Sequence, residues 1–323
     1  MQGLGEFEII ERYFSAIGRR SDVVLGVGDD AAVLDVAASD HLVAAVDTIV
    51  AGVHFPEDLD PADIGWRALA VNLSDLAAMG ARPAWATLSL SMPRSDPRWL
   101  DAFAAGFAGL ARIWDVALVG GDTVSGPLVV TVQVLGLVER DRCLTRSGAR
   151  PGDLVLVSGT PGDAAAGLDL WRRNAPDTTA NRWLIERFTR PVPRIELGRQ
   201  LRSRASAAMD VSDGLIADLG KLCAASGCGA DIDIDRLPMS EALASLEPAE
   251  QRRRYALAGG DDYELVFTIP PEVHAAALAV DAFAVECTAI GRVRDGSGVQ
   301  CLERGVPIDP PAGWDHFRMA TDA

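Results

Sequence analysis

The sequence contains a single lysine, Lys221; every other basic side chain is an arginine. That scarcity excludes two familiar ways of holding ATP. A P-loop requires G-x-x-x-x-G-K-[ST], and a protein kinase requires a lysine on a strand. The stretch from Gly214 to Lys221 imitates a P-loop, but its spacing is one residue too long and Leu222 stands where Ser or Thr would hold magnesium. Histidine is scarce too: the four present are not paired at ligand spacing, which argues against zinc. The five cysteines (Cys143, Cys223, Cys228, Cys287 and Cys301) form no C-x-x-C, and they read as reduced structural thiols. Cys223 and Cys228 are expected at the end of one helix. No stretch reaches the roughly 18 uninterrupted apolar residues of a membrane span. The acidic start, MQGLGEFEIIERYF, lacks the basic-then-apolar order of a signal peptide. The net charge of −16 disfavours nucleic acid and anionic membrane as partners, since both are polyanions. The expectation is a cytoplasmic protein with no nucleic-acid or membrane partner.

What is present is apolar and acidic. Hydrophobic residues make up 49% of 323, enough for about two domains with sizeable cores. A helix fits residues 6–17, with Phe7, Ile10, Tyr13, Phe14 and Ile17 on one stripe. Strand-like runs follow at 41–50, 84–92, 116–119 and 127–138. Helices fit 97–113 and the stretch 60–83, where Asp60 suits the N-cap, Pro61 the first turn and Gly80 the position past the end. The polar stretch ERDRCLTRSGARPG (139–152) separates this from a second unit. That unit has strands at 153–159, 230–234, 263–269 and 286–293, and a helix at 162–173. A further helix starts near Ser212, carries Leu215, Ile216, Leu219 and Leu222 on one face, and stops at Gly227. The class is α/β or α+β, with domains at 1–140 and 141–323.

The acids recur in one setting: apolar residues, then small residues, then Asp. The pattern appears in LGVGDDAAV, AAVDT, LVGGDT, AMDVSDG and LAGGDDYE. Asp75 is the most informative of them. It lies on the stripe Ile64, Ala68, Val71, Asp75 of a helix apolar all round, which is normally a buried helix. It also sits near the helix C-terminus, the wrong end of the dipole for an anion. Burying an unpaired carboxylate costs several kcal/mol or forces protonation, so a cation must meet it, either Arg82 or a shared metal ion. Asp29, Asp30, Asp47, Asp122, Asp210 and Asp213 sit near strand ends or helix starts, and carboxylate oxygens suit a hard ion such as Mg²⁺. In GGDT, flexible backbone around Gly121 would approach a phosphate while Asp122 holds its metal. In DVSDG, Ser212 would cap the helix, whose free N–H groups favour an anion; Asp210 and Asp213 beside it require a bridging divalent ion. Arg146 is either a fork for phosphate or a solvated linker residue. His54 either packs beside Phe55 or contacts a ligand, and Trp314 is either a stacking platform or a core anchor.

Together GVGDDAAV, VDTIVAGVHF, NLSDLAAMGARP, GGDT, LTRSGARPGD, MDVSDGL and GGDDYELVF resemble the thiamine-monophosphate kinases, a family of the aminoimidazole ribonucleotide synthetase superfamily. The resemblance runs from about Gly5 to Phe317, with seven motifs in order. It implies a two-domain aminoimidazole ribonucleotide synthetase-like fold of α/β (α+β) class. The N-terminal domain would bind ATP and Mg²⁺ and pair in a homodimer, and the C-terminal α/β domain would complete the active site. The implied reaction is in-line transfer of the ATP γ-phosphoryl group to thiamine monophosphate. It gives thiamine diphosphate, the last step of that cofactor's synthesis, with no phosphoenzyme and no obligatory general base. Carried over motif by motif, Asp30, Asp47, Asp75, Asp122, Asp210 and Asp213 would hold several Mg²⁺ ions, with K⁺ an open candidate. Gly121, Asp122, Arg146 and Ser212 would contact ATP. His54, Asp261 and Trp314 would contact thiamine monophosphate.

Four positions depart from the family pattern. Ala45 and Val46 stand where Ser or Thr is usual. Asp261 replaces the Glu of Gly-Glu-Asp-Tyr-Glu, and Trp314 replaces a common Tyr. Sister activities in the superfamily fit less well. Selenophosphate synthetase would want a cysteine near the N-terminal glycine-rich loop, and the hydrogenase-maturation dehydratase would want one at the C-terminus. The first cysteine here is Cys143 and the chain ends MATDA. A non-catalytic protein that binds nucleotide or divalent metal is the reading from a different class.

Overall fold

The computed structural model describes residues 4–28, 30–246, 248–278 and 283–309. The chain divides into two compact units, residues 1–76 with 81–142 and residues 77–80 with 143–323.

The first unit begins with α1 (Glu6–Ile9), which runs directly into a π-helical turn, Ile10–Phe14. The helix is therefore shorter than the sequence suggests, and the wide π turn rotates the apolar stripe. Ile9, Tyr13, Phe14 and Ile17 are buried, whereas Phe7 is 82% exposed. Two short strands, β1 (Val23–Leu25) and β2 (Val33–Leu34), pair antiparallel. Then come β3 (Asp40–Val50), α2 (Pro61–Ala78), β4 (Arg82–Met92), α3 (Pro97–Ile113), β5 (Ala117–Ser125) and β6 (Val129–Glu139). The sheet order is β3-β6-β4-β5, with only β4 and β5 parallel. Asp60 caps α2 by accepting the Ala62 N–H at 2.8 Å, and Asp96 caps α3 by accepting that of Arg98 at 3.0 Å. The all-apolar character of α2 has the expected outcome: Ile64, Leu69, Leu73 and Leu76 are fully buried. Asp75 departs from the expectation, being only half-buried among them.

The second unit contains β7 (Leu154–Ser158), α4 (Asp163–Arg172), α5 (Thr179–Thr189), α6 (Ile195–Leu201), β8 (Ala207–Val211), α7 (Leu215–Ser226) and β9 (Gly229–Asp233). After a 3₁₀ turn follow α8 (Glu241–Ala244), α9 (Ala249–Ala258), β10 (Glu264–Ile269), α10 (Pro271–Leu278), β11 (Cys287–Arg294), β12 (Gly298–Glu303) and β13 (Val306–Ile308). Seven strands form one sheet in the order β13-β12-β9-β11-β7-β10-β8. All pairs are antiparallel except β12 with β9. On α7, Leu215, Leu219 and Leu222 enter the main core with Val155, Met209 and Val266, while Ile216 packs against Ile234 and Leu257. Gly227 ends the helix at φ +67°. Cys223 lies inside α7 and Cys228 beyond its end. Both thiols are buried and reduced, and burial pushes Cys223 up to about 12. No helix among the described residues is long and apolar enough to cross a membrane.

Candidate active site

In the first unit the glycine-rich segment does not form a flexible loop. Gly120, Gly121, Asp122 and Thr123 all lie within β5, in parallel register with Thr87 to Leu90 of β4. At Gly121 the two backbones approach closely: a Cβ there would sit 1.9 Å from the Leu88 carbonyl oxygen. Glycine is needed for proximity and for a φ of +154°, not for motion. The next residue, Asp122, is thereby held on a strand whose position is fixed.

Asp122 and Gly121 open onto a cavity of about 480 Å³, and Asp30 lines the same cavity. Its apolar side comes from Phe7, Phe14, Leu88 and Leu118. A lining of two carboxylates together with aromatic and aliphatic side chains suits a ligand that carries both a charged and an apolar group. Phe7, exposed and unused in the core, lines this cavity. Asp29 lies outside the described residues.

Asp47 lies on β3, and its backbone N–H donates to Asn72 Oδ1 of α2 at 2.8 Å. The Asn72 side chain is buried and returns a bond from Nδ2 to the Ala68 carbonyl at 2.9 Å. Asn72 thus ties the acid-bearing strand to the helix that carries Asp75, one turn further along. Arg82, the alternative partner for Asp75, is exposed on β4. His54 follows β3 in a tight turn: its N–H donates to the Val50 carbonyl at 2.9 Å, and its Nδ1 accepts the Val50 N–H at 3.1 Å. An accepting Nδ1 places the proton of the neutral ring on Nε2, so the outer edge of the imidazole is a donor.

In the second unit Asp210 is buried in β8, opposite Leu265 of β10. The turn that follows carries Ser212 and Asp213. The N-cap of α7 is Gly214, not Ser212, and it makes no side-chain cap bond. Two amides of this turn are already taken. The fully buried Asp218, in the first turn of α7, accepts the N–H of Ser212 at 2.8 Å and of Asp213 at 2.9 Å. Its other oxygen accepts Lys221 Nζ at 2.8 Å, and Nζ also donates to Asp213 at 2.5 Å. Burial pushes the Asp218 carboxyl up against the opposing pull of Lys221.

The segment Gly260–Asp261–Asp262–Tyr263–Glu264 lies against this turn. The Asp261 N–H donates to the Ser212 carbonyl at 2.9 Å, and that of Tyr263 to the Val211 carbonyl at 2.9 Å. The fold therefore brings Asp261, Ser212 and Asp213 together. Asp261 and Tyr263 both adopt positive φ, +69° and +53°, a strained conformation for residues with a Cβ. The Tyr263 hydroxyl donates to Asp261 Oδ1 at 3.0 Å. The alternate acids turn inward. Asp262 caps α4 from a distance, accepting the Gly162 N–H at 2.7 Å and the Ala164 N–H at 3.2 Å. Burial holds its carboxyl well above the ordinary 3.8 despite those bonds. Glu264, fully buried, meets Arg187 at 2.7 Å, Arg194 Nε at 2.6 Å and the Ser158 hydroxyl at 2.6 Å. One five-residue motif thus supplies a candidate site residue, a helix cap and a buried ion-pair centre.

Arg146 is exposed, and its carbonyl accepts the Ser226 hydroxyl at 3.0 Å. Ser226 closes the 12-residue α7 whose start follows Ser212. Trp314 lies outside the described residues. The sequence reading did not single out Asn72 or Asp218, gave Tyr263 no contact of its own, and weighed Lys221 only as a rejected P-loop lysine. Asp218 and Lys221 carried a signal, an acid and a base at i, i+3 just after DVSDG.

Among the described residues, no group of three or more His, Cys, Asp or Glu side chains is gathered to cage a metal ion. The donor set nevertheless fits Mg²⁺. That ion takes one or two carboxylates, keeps waters and completes its octahedron with substrate phosphates, and Asp30 with Asp122 in one cavity is such a pair.

Residues 28–138 match the family described as AIR synthase related protein, N-terminal domain, and residues 150–302 match its C-terminal domain. The chain is 48% identical to the thiamine-monophosphate kinase of Escherichia coli (strain K12), over 97% of this chain and 98% of that protein. The crystal structure of thiamine-monophosphate kinase from Stenotrophomonas maltophilia K279a superimposes with a TM-score of 0.85 at 47% identity, covering 95% of this chain and 99% of that one. The complex of AaThiL with AMPPCP and TMP superimposes with a TM-score of 0.78 at 33% identity, covering 96% and 95%.

Proposed function

The chain belongs to the thiamine-monophosphate kinase family, and on that premise we propose that it transfers the γ-phosphoryl group of ATP to thiamine monophosphate, giving thiamine diphosphate. The observation that carries the reading to the residues is the cavity in which Asp30, Gly121 and Asp122, distant in sequence, converge.

Both reactants are anionic phosphates and the chain carries a net charge of −16, so a cation has to mediate their approach. Mg²⁺ would supply that charge, drawing phosphate oxygens together and neutralising the charge that develops in transfer. Several such ions are proposed, with Asp30, Asp47, Asp75 and Asp122 as candidate ligands in the first unit and Asp210 and Asp213 as candidate ligands in the second. Gly121 lets backbone approach a phosphate where a side chain would block it. Ser212 offers a hydroxyl on a turn already fixed by Asp218. Arg146 offers a guanidinium to ATP. His54 presents Nε2–H to thiamine monophosphate, and Asp261 and Trp314 contact the same substrate. The attacking phosphate oxygen is already ionised, so positioning and charge neutralisation suffice without a general base.

The first domain, residues 1–140, is proposed to dimerise. Support comes from β3, an 11-residue edge strand that exposes Leu42 (48%) and Val46 (58%). An uncovered apolar edge strand favours pairing with another chain.

The test is a chromatographic assay with ATP, Mg²⁺ and thiamine monophosphate. Thiamine diphosphate rising in step with ADP is the expected result. ADP without thiamine diphosphate would indicate a sister ATP-dependent activity, and ATP binding with neither product would indicate a non-catalytic binder.

A further inference from the structure

The only lysine of the chain is committed to two carboxylates. Lys221 Nζ lies 2.5 Å from Asp213 Oδ2 and 2.8 Å from Asp218 Oδ1. The two acids have different surroundings. Asp218 is fully buried and its second oxygen is bonded to the Ser212 and Asp213 amides. It cannot turn outward without breaking the turn. Asp213 is partly exposed, at 30%, and the lysine at 43%. Asp218 is thus a fixed anchor that shapes the turn, while the Asp213 contact lies at the solvent edge of the network.

The residue type fits that geometry. An ammonium on a flexible four-carbon stem makes a point contact and rehydrates readily, whereas a guanidinium would lock a carboxylate in a planar two-bond fork. Asp218 retains Lys221 nearby when Asp213 is given up.

We propose that Lys221 is the resident counter-cation of Asp213, a positioning residue that neutralises and orients this carboxylate until a nucleotide-borne divalent cation replaces it. The proposal rests on the reading of Asp213 as a ligand for that cation. Lys221 touches neither reactant. It competes with the divalent ion for Asp213 Oδ2, and its charge repels the ion. Removing it therefore tightens divalent binding and loosens the metal-free turn. An acid-bearing turn that must stay folded before its metal arrives needs such a partner, because Asp213 and Asp218 otherwise repel each other.

The test uses the full chain with Mn²⁺ as the probe, titrated by electron paramagnetic resonance in the presence of a non-hydrolysable ATP analogue. Lys221→Met is expected to bind Mn²⁺ about 1.5- to fivefold more tightly, the range expected for partly exposed ion pairs, and to melt lower without metal. Lys221→Arg keeps the charge and should bind Mn²⁺ no more tightly than the unsubstituted chain. In an Asp213→Asn background the Lys221→Met gain should vanish, since the contested oxygen is gone. Should Lys221→Met fail to fold, Lys221→Gln serves the same comparison. Unchanged or weaker Mn²⁺ binding in the uncharged variant overturns the proposal while leaving the kinase reading intact, provided the unsubstituted chain makes thiamine diphosphate. If the unsubstituted chain binds no Mn²⁺ with nucleotide, the metal reading fails and this inference fails with it.

Discussion

Replacing Gly121 by alanine tests whether the site depends on how closely β4 and β5 approach. The added Cβ would lie 1.9 Å from the Leu88 carbonyl oxygen, 2.7 Å from its carbon and 2.9 Å from the Leu88 nitrogen. Ordinary contact begins near 3.4 Å, so the strands must separate by about 1.5 Å. The obstacle is backbone in a parallel ladder, and no side-chain rotation relieves it. Overpacking of this kind costs about 1–3 kcal/mol, and alanine at positive φ adds roughly 1–3. A total of about 2–6 kcal/mol corresponds to a Tm fall of roughly 4–24 °C. Because Asp122 moves with the strand, displacement on the order of 1 Å should also lower activity by about a hundredfold. Gly120→Ala is the internal control. Its Cβ would meet only Thr87 Cγ2 at 3.9 Å, so its Tm should change by no more than about 2 °C, a surface-sized effect. The assays are thermal melting and thiamine diphosphate formation at saturating Mg²⁺. If Gly121→Ala melts and turns over like Gly120→Ala, the close-approach argument is wrong.

Asp75→Asn should keep a cooperative melt and native circular dichroism while losing about a hundredfold or more in turnover, since charge neutralisation by the metal contributes several kcal/mol; normal activity in the folded variant removes Asp75 from the metal set. Glu264→Gln strips the charge that meets Arg187 and Arg194 in a buried setting. It should destabilise by about 3–5 kcal/mol, and a urea midpoint close to that of the unsubstituted chain would contradict the ion-pair role. Asp262 gives a pH prediction. Its carboxyl titrates well above the unfolded value near 3.8, so its contribution to stability is full below that value and is lost as pH rises through the higher folded value. Melts across the acid-to-neutral range should show a shallower decline in Asp262→Asn, and parallel curves would refute the assignment.

Several elements were legible because local chemistry settles them. The N-cap Asp60, Pro61 and the apolar run behind them specify α2 over Pro61–Ala78, with Gly80 past its end at φ +66°. Helix α3 occupies Pro97–Ile113, the span that its periodicity predicts. The face Leu215, Ile216, Leu219, Leu222 is buried as read, and Gly227 stops its helix. Other elements depended on partners remote in sequence. GGDT reads as a loop because glycine weakens a strand locally, yet β4 pairs with it through Ser125. Ser212 reads as a cap because the preference is local, yet Asp218 takes the amides. The stripe through Phe7 assumes 3.6 residues per turn, which a π turn breaks.

The acids show the same division. By itself, the sequence determined that carboxylates follow apolar segments, that lysine and histidine chemistry is all but absent, and that the motif order is that of one kinase family. Those are properties of composition and spacing. Only the tertiary structure decided where each acid is placed and what it touches. Within GGDDYE, Asp261 lies beside Ser212, Asp262 caps α4 and Glu264 meets two arginines. Neighbouring identical side chains acquire different roles because backbone dihedrals and strand pairing, set by segments a hundred residues away, aim each one into a different environment.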